Sequence, residues 1–381
     1  MATRLKNGKY KATLLLPNGK VKSFIGNTKR EAEEKKIKYQ IFEMGKNNTG
    51  YDLTIGQLIE NWLYEYTYKR LIDEQSIKKS TFDTYESTFK SCIKDSDISC
   101  IKLSDLDHNR ISIVKLDEHI MTITKNKSYS SGKKVYLQLY NAFDYAFKRG
   151  LINNNLKDKI NKPKKGINPP NTIQTYTENE FNLLINTANE LYAKNNYYRN
   201  GLAYLILYHT GLRMGELLGL TRFDIDLKNK SITINRAIKE VAERDEKDNR
   251  QIINWTTEVQ TLKTNNSYRT ISINDKCVIA IKELLKRQQE NDIVSQYLIC
   301  NDKGENETPS QFKKSWSRLC NRCGIENRGI HAIRHTFATN NLINNNSIEV
   351  VSKYLGHSNC SITSKTYSHI NQNVIRLNNV M

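Results

Sequence analysis

Apolar residues recur along this chain with two different periods, and each change of period marks a new part. Near the start, Tyr10, Ala12, Leu14 and Leu16 alternate with Lys9, Lys11, Thr13 and Leu15, the two-residue repeat of a half-buried strand. Pro17-Asn18-Gly19 predicts a turn, because Asn and Gly tolerate positive φ, and Lys20 to Ile25 a second strand. Thr28-Lys29-Arg30-Glu31 has the form of a capping box and predicts a helix start. From Leu53 to about Ile160 the period becomes helical. Ile55, Leu58, Ile59 and Trp62 share one face; Ser80 is expected to cap a helix carrying Phe82, Tyr85 and Phe89. Val135, Leu139, Phe143 and Ala146 mark a further helix that stops at Gly150.

Of five prolines, three fall in Pro163-Lys164-Lys165-Gly166-Ile167-Asn168-Pro169-Pro170, which predicts a linker, since proline ends helices and lacks an amide donor. Beyond it, Thr177-Glu178-Asn179-Glu180 reads as another capping box. Tyr204, Leu205, Leu207 and Tyr208 predict an apolar helix ending at Thr210-Gly211. Ser231 to Ile234 and Thr270 to Ile273 read as strands. Beyond Ile273 helices dominate to the end, while Ala242 to Thr257 is polar and weakly patterned, an extended hairpin or loop. The expected fold is mostly α with small β elements (α+β). It comprises a β-plus-helix unit at 1–50, a helical bundle at 51–162, a linker at 163–173 and a mixed, mainly helical domain at 174–381.

Charge narrows the function. The 381 residues carry 59 Lys and Arg against 40 Asp and Glu, a formal net charge of +19, which attracts polyanions, nucleic acid above all. Residues 1–50 hold twelve Lys and Arg against four Glu, a net of +8, so the predicted β-ribbon is suited to a DNA groove, with a solvated β-unit as the bland alternative. No apolar run has membrane-spanning length, and Met1-Ala2-Thr3-Arg4-Leu5-Lys6 lacks the apolar core of a signal peptide. The seven cysteines are odd in number and scattered, as reduced cytosolic thiols are. Cys320-Asn321-Arg322-Cys323 has metal-type spacing without a second pair. Phe312, Trp316, Leu319 and Cys323 recur instead as the apolar face of a helix ending before Gly324.

The chemistry concentrates in the second half. Attack on a phosphodiester builds negative charge on the non-bridging oxygens, and guanidinium forks match two such oxygens at once. Arg213 follows Thr210-Gly211-Leu212 at an expected helix start, where amide dipoles favour anions. His331 and Arg334 are three residues apart, on one helix face. A tyrosine hydroxyl, with an ordinary pKa of about 10, attacks only when its proton is taken and cations surround it. His331 is placed to move that proton and His357 to bond a phosphate oxygen. Lys263, at a turn between strands, is a candidate acid for the leaving oxygen. His335 is read as a packing residue and Glu216 as one that orients an arginine or caps the chain. Tyr268, Tyr297 and Tyr354 are rival tyrosines, but Tyr367 alone follows Leu355-Gly356-His357 at the right distance. The motifs hold no carboxylate cluster, so neither a metal nor another cofactor is expected.

In this order, Thr210-Gly211-Leu212-Arg213-Met214-Gly215-Glu216-Leu217, His331-Ala332-Ile333-Arg334-His335-Thr336-Phe337-Ala338-Thr339, Leu355-Gly356-His357 and Tyr367 resemble the tyrosine recombinase (integrase) family. Lys263 sits where that family places its hairpin lysine. The likeness covers Thr177 to Ile370 closely and the first half more loosely. It implies an arm-type DNA-binding domain at 1–50, a core-binding domain at 51–162 and a C-shaped clamp on duplex DNA. It implies Arg213, Lys263, His331, Arg334, His357 and Tyr367 as the catalytic set, a 3′-phosphotyrosine intermediate that conserves the ester energy without ATP, and a homotetramer on two sites. Core-type and arm-type DNA, an excisionase and a host DNA-bending protein are the partners it brings, in the cytoplasm at the nucleoid. The rivals are an Xer-like resolvase or invertase, a type IB topoisomerase and a non-catalytic DNA-binding protein. Ile370 to Met381, with Val374 and Leu377, is expected to dock on a neighbouring subunit or to fray.

Overall fold

The computed structural model describes residues 2–5, 7–15, 21–39, 53–108, 110–165, 174–195, 201–245, 248–261, 268–357 and 363–364. The chain divides into two compact bodies, Met1–Asn168 with Val241–Trp255, and Pro169–Glu240 with Thr256–Met381.

In the first body, β1 (Thr3–Arg4), β2 (Tyr10–Leu15) and β3 (Val21–Gly26) form an antiparallel sheet in that order. Ala12 faces Phe24 and Leu14 faces Lys22. The two-residue period turns Ala12, Leu14 and Phe24 into one small core with Ala32 of α1 (Lys29–Tyr39), as the alternation requires. Thr28 Oγ1 accepts from the Glu31 amide at 3.1 Å, and the Glu31 carboxylate reaches back to the Asn27 amide at 2.6 Å. The expected turn at Pro17-Asn18-Gly19 lies outside the described residues.

The helical part runs α2 (Ile55–Asn61), a π-helical turn at Trp62–Thr67, α3 (Tyr68–Ile72), α4 (Lys79–Cys92), α5 (Leu103–His108), α6 (Arg110–Asn126) and α7 (Tyr129–Lys148). Ile55, Leu58, Ile59 and Trp62 are buried with Phe82, Phe89, Val135, Leu139, Phe143 and Ala146 in one core, so the faces read from spacing meet each other. Ser80 is not the cap of α4. The extended residue at its start is Lys78, which makes no side-chain cap, and the Ser80 carbonyl already accepts from Thr84 Oγ1 at 2.8 Å. Phe82 needs a full helical turn before it to reach the core, which draws the boundary back past the serine. Beyond α7, Gly150 takes a φ of 67° and ends the helix where expected.

Also in this body, Arg244 from the 241–255 segment grips Glu86 with both ends of its fork, at 3.0 and 2.8 Å, and Asp83 at 2.9 Å. Tyr64 donates its hydroxyl to Glu86 at 2.6 Å and Lys90 adds a contact at 2.9 Å.

The second body contains α8 (Glu178–Asn195), α9 (Gly201–Thr210), α10 (Met214–Leu218), β4 (Ile225–Asp226) and β5 (Ser231–Ile234). The hairpin strands β6 (Arg236–Arg244) and β7 (Ile252–Thr261) come next along the chain, their Val241–Trp255 portion belonging to the first body, then β8 (Arg269–Ser272), α11 (Asp275–Glu290), α12 (Pro309–Arg322), α13 (Ile330–Ile343) and α14 (Ile348–Leu355). The sheet order is β4-β5-β8, antiparallel, with Ile232 facing Ile271. The polar stretch Ala242–Thr257 is indeed the hairpin. Tyr204 of α9 packs on Trp316 of α12 with ring centroids 4.7 Å apart, beside Phe181 and Phe312. Thr177 and Glu180 form the expected reciprocal cap, at 3.2 and 2.8 Å. Cys320 lies buried on the apolar face of α12, and burial pushes its thiol up to about 11, the state of a packed, protonated cysteine. No helix among the described residues is long and apolar enough to cross a membrane.

Candidate active site

Two helix ends carry the site. Helix α9 stops at Thr210 and the chain turns at Gly211, whose φ is 58°; a Cβ there would meet Phe337 at 2.5 Å and Leu355 at 2.9 Å. Only glycine fits both the backbone and the space. Helix α14 ends in the same manner at Gly356, with φ 68°. The Gly356 amide returns to the Lys353 carbonyl at 3.0 Å and the His357 amide to Ser352 at 3.1 Å, a Schellman turn. The glycine before the histidine therefore folds His357 back over its own helix.

Carbonyls at helix C-termini lack helical partners and carry partial negative charge, and here they receive arginines. Arg334, on α13 and 4% exposed, donates to Gly211 O and Leu355 O, each at 2.8 Å. Arg213 reaches the same Leu355 oxygen at 3.5 Å and Gly356 O at 3.2 Å. Arg213 is the N-cap of α10, a helix of five residues. Its guanidinium, more than that short helix's dipole, is the charge offered to an anion.

Glu216 orders the cations from below. It accepts from the Arg213 amide at 2.9 Å and its Nη1 at 2.7 Å, and from Arg269 at 3.2 and 2.9 Å. Arg269 also donates to Tyr354 O at 2.7 Å. Burial pushes the Glu216 carboxyl up, but the bonds and charges of Arg269 and Arg213 outweigh it and hold the group below its ordinary value. Glu216 thus both caps and orients, as the sequence suggested.

The site histidines His331, His335 and His357 are neutral at pH 7. His357 Nε2 lies 2.9 Å from Arg334 Nη2. A guanidinium only donates, so Nε2 accepts and the proton sits on Nδ1, which donates to Thr363 Oγ1 at 2.7 Å. Burial, then Arg334, Arg213, Arg269 and His331, bring His357 down to about 4. His331 is likewise brought to about 4, by burial, His335, Arg334 and Arg213. Its ring stands edge-on to His335, centroids 4.8 Å apart, and His335 is itself lowered by burial and Arg334.

Of the six residues expected from sequence, Arg334 and His357 are in direct contact, and Arg213 shares the Leu355 oxygen with Arg334. His331 lies on α13 within their field. Lys263 and Tyr367 fall outside the described residues, as does Ile370–Met381. Tyr354 is committed elsewhere. Its hydroxyl donates to Ser272 O at 2.8 Å, its ring stacks on Phe337, and burial raises its pKa far above the ordinary value. Tyr297 packs against the core, and Tyr268 is 49% exposed. Sequence reasoning missed Arg269 and Thr363. Arg269 lies six residues after the candidate Lys263; Thr363 had no signal beyond lying between His357 and Tyr367.

Residues 174–373 match the phage integrase family. A relative named "Tyrosine recombinase XerC-like", from Caldanaerobacter subterraneus subsp. tengcongensis, is 34% identical over 96% of this chain and 94% of its own length. This chain belongs to the phage integrase family of tyrosine recombinases. Members of that family are site-specific DNA recombinases, and so is this enzyme. Its fold is shared with solved relatives of low identity. The Tn1549 transposon integrase, in a complex with a circular intermediate DNA, is 18% identical, covers 85% of this chain and 99% of its own, and gives a TM-score of 0.62. A lambda integrase tetramer bound to a Holliday junction is 17% identical over 96% and 94%, with a TM-score of 0.55. The mostly helical chain with small sheets is the fold class that the apolar periods predicted.

Proposed function

We propose that this recombinase integrates and excises a mobile element through a 3′-phosphotyrosine bond made by Tyr367. The observation that carries the reading is the convergence of Arg213 and Arg334 on one oxygen, that of Leu355, directly before Gly356-His357. Two guanidinium groups and an imidazole are brought together there, the donor set that the non-bridging oxygens of a phosphodiester call for. In the step, the Tyr367 oxygen bonds to phosphorus while the bond from phosphorus to the 5′ oxygen breaks. His331, neutral at pH 7, takes the phenolic proton; Lys263 gives one to the departing 5′ oxygen. The 5′ hydroxyl of a partner duplex later attacks the phosphotyrosine and releases the enzyme.

Duplex DNA at core-type and arm-type sites is the substrate, engaged by a homotetramer at the bacterial nucleoid with excisionase and host DNA-bending partners. Residues 1–50 read the arm sites, 51–162 and 174–381 the core, and Ile370–Met381 docks on a neighbouring subunit. Nicked suicide duplexes tiled across the DNA flanking the gene test the chemistry. The expected result is an SDS-resistant protein–DNA band that survives EDTA and disappears in Tyr367→Phe. A band persisting in that variant overturns the nucleophile, and loss on chelation overturns metal independence.

A second reading, an Xer-type resolvase, has the name of the 34% identical relative behind it, whose match spans nearly this whole chain. Deleting residues 1–50 separates the two. An integrase loses binding to distal arm duplexes while still cleaving the core site; a resolvase loses neither.

A further inference from the structure

The segment after His357 contributes one described side chain to the site. Thr363 is fully buried, and its Oγ1 lies 2.7 Å from His357 Nδ1. On the opposite side of the ring, Arg334 Nη2 sits 2.9 Å from Nε2. Because the arginine supplies only protons, the hydroxyl oxygen must receive one. The imidazole is therefore held between a donor and an acceptor, with one tautomer satisfying both.

We propose that Thr363 is a positioning residue that locks His357 with its proton on Nδ1, so that a scissile phosphate needs only one added proton at Nε2 to be bound. The inference rests on the proposed role of His357 at the phosphate. When DNA arrives, its anionic oxygens attract Arg334 and turn Nε2 from acceptor to donor. The Nδ1 proton and its bond to Thr363 stay unchanged in the imidazolium, and the proton gained at Nε2 comes from solvent. A hydroxyl acceptor suits both states, whereas a group that donated to Nδ1 would oppose the second. The charged groups acting on the ring are Arg334 on α13, Arg213 at the start of α10 and Arg269 on β8, with the titratable but neutral His331 on α13 beside them. All the cations disfavour imidazolium in the absence of DNA, so the uptake is tied to the phosphate. Thr363 also stands four residues before Tyr367 in the chain.

The test begins with the tautomer. Imidazole nitrogen NMR of the full-length enzyme labelled at histidine, with His357 assigned from His357→Gln, is expected to show a protonated Nδ1 and a bare Nε2. Thr363→Val, which keeps the shape and removes the hydroxyl, is expected to give a mixture of tautomers. On the tiled suicide duplexes, it should form covalent complex roughly 10- to 100-fold more slowly, with DNA affinity changed less than about threefold. The descending limb of its pH–rate profile should move to lower pH, because the imidazolium has lost an acceptor. Thr363→Ser should restore rate, tautomer and profile. A wild-type spectrum with the proton on Nε2 overturns the lock outright, even where Thr363→Val does not fold. So does a valine variant with native rate and profile, or a serine variant as impaired as the valine. Failure of the wild-type enzyme to form any covalent complex instead strikes the proposed function and leaves the NMR result to judge the lock.

Discussion

Two arginines of this protein have hidden side chains, and their surroundings differ. Arg244 has a side chain 5% exposed and is gripped by Glu86 and Asp83, with Lys90 alongside; those four charges cancel. Arg334 is a residue 4% exposed and held by two backbone carbonyls and an imidazole. Around it, Glu216 carries one negative charge against Arg213, Arg269 and Arg334, so the named groups keep a surplus of two positive charges. Burying an unbalanced charge is costly. A fold accepts that cost where an anion is to arrive, and removes it where the arginine only joins pieces of structure. Burial alone does not separate the two roles; the charge left over does.

The comparison is broken most severely by exchanging the expected effects. Arg334→Ala should slow covalent-complex formation by roughly 100- to 1,000-fold while the denaturation midpoint moves little. Arg334→Lys should recover only part of the rate, since an ammonium lacks the fork. Equal rates in wild type and Arg334→Ala would place Arg334 with Arg244. Next, Arg244→Ala should destabilise the enzyme by about 3–5 kcal/mol, by stranding Glu86 and Asp83, without slowing cleavage per folded molecule. Adding Glu86→Leu and Asp83→Asn to Arg244→Met should return most of the stability in a denaturant titration. Glu216→Gln lies between the two. It keeps the shape, frees one more positive charge, and should cost about 1–3 kcal/mol together with a smaller loss of rate.

The smallest effects are in pH. For Glu86, burial raises the carboxyl, but its bonds to Arg244, Tyr64 and Lys90 bring it to about 2. The folded value lies below the unfolded one, so its stabilisation is full above about 4.5 and fades as pH falls toward 2. His331, at about 4 against an ordinary 6.5, is also lowered, so its contribution fades earlier, between 6.5 and 4. It is exposed on one side, which keeps that effect slight. Hydrogen exchange during acidification should therefore open α13 before α4; the reverse order would contradict the assignment.

Periodicity made the apolar faces of α2, α7 and α12 legible, because each is set by local repeat and confirmed by burial. It did not reveal the π-helical turn at Trp62–Thr67, since a single widened turn leaves the apolar spacing nearly unchanged. Nor did it place the start of α4, where the core's claim on Phe82 outweighed the capping preference of Ser80. In the site, Arg213, His331, Arg334 and His357 were legible because their order along the chain is distinctive. Arg269 was not singled out, since its bond to Tyr354 O spans 85 positions. The tautomer of His357 depends on Arg334 and Thr363 together, a relation no local window contains.

Arg334 bridges the ends of two helices, Gly211 of one and Leu355 of the other. A free arginine side chain holds about 2 kcal/mol of rotamer entropy, and this one surrenders it when the protein folds, well before any DNA is present. The fork thus meets the phosphate already frozen in place. Cleavage by this enzyme should accordingly show an activation entropy near zero for the chemical step. Lengthening either helix end by one residue should make that entropy markedly negative, because the guanidinium would then have to be ordered anew at every encounter.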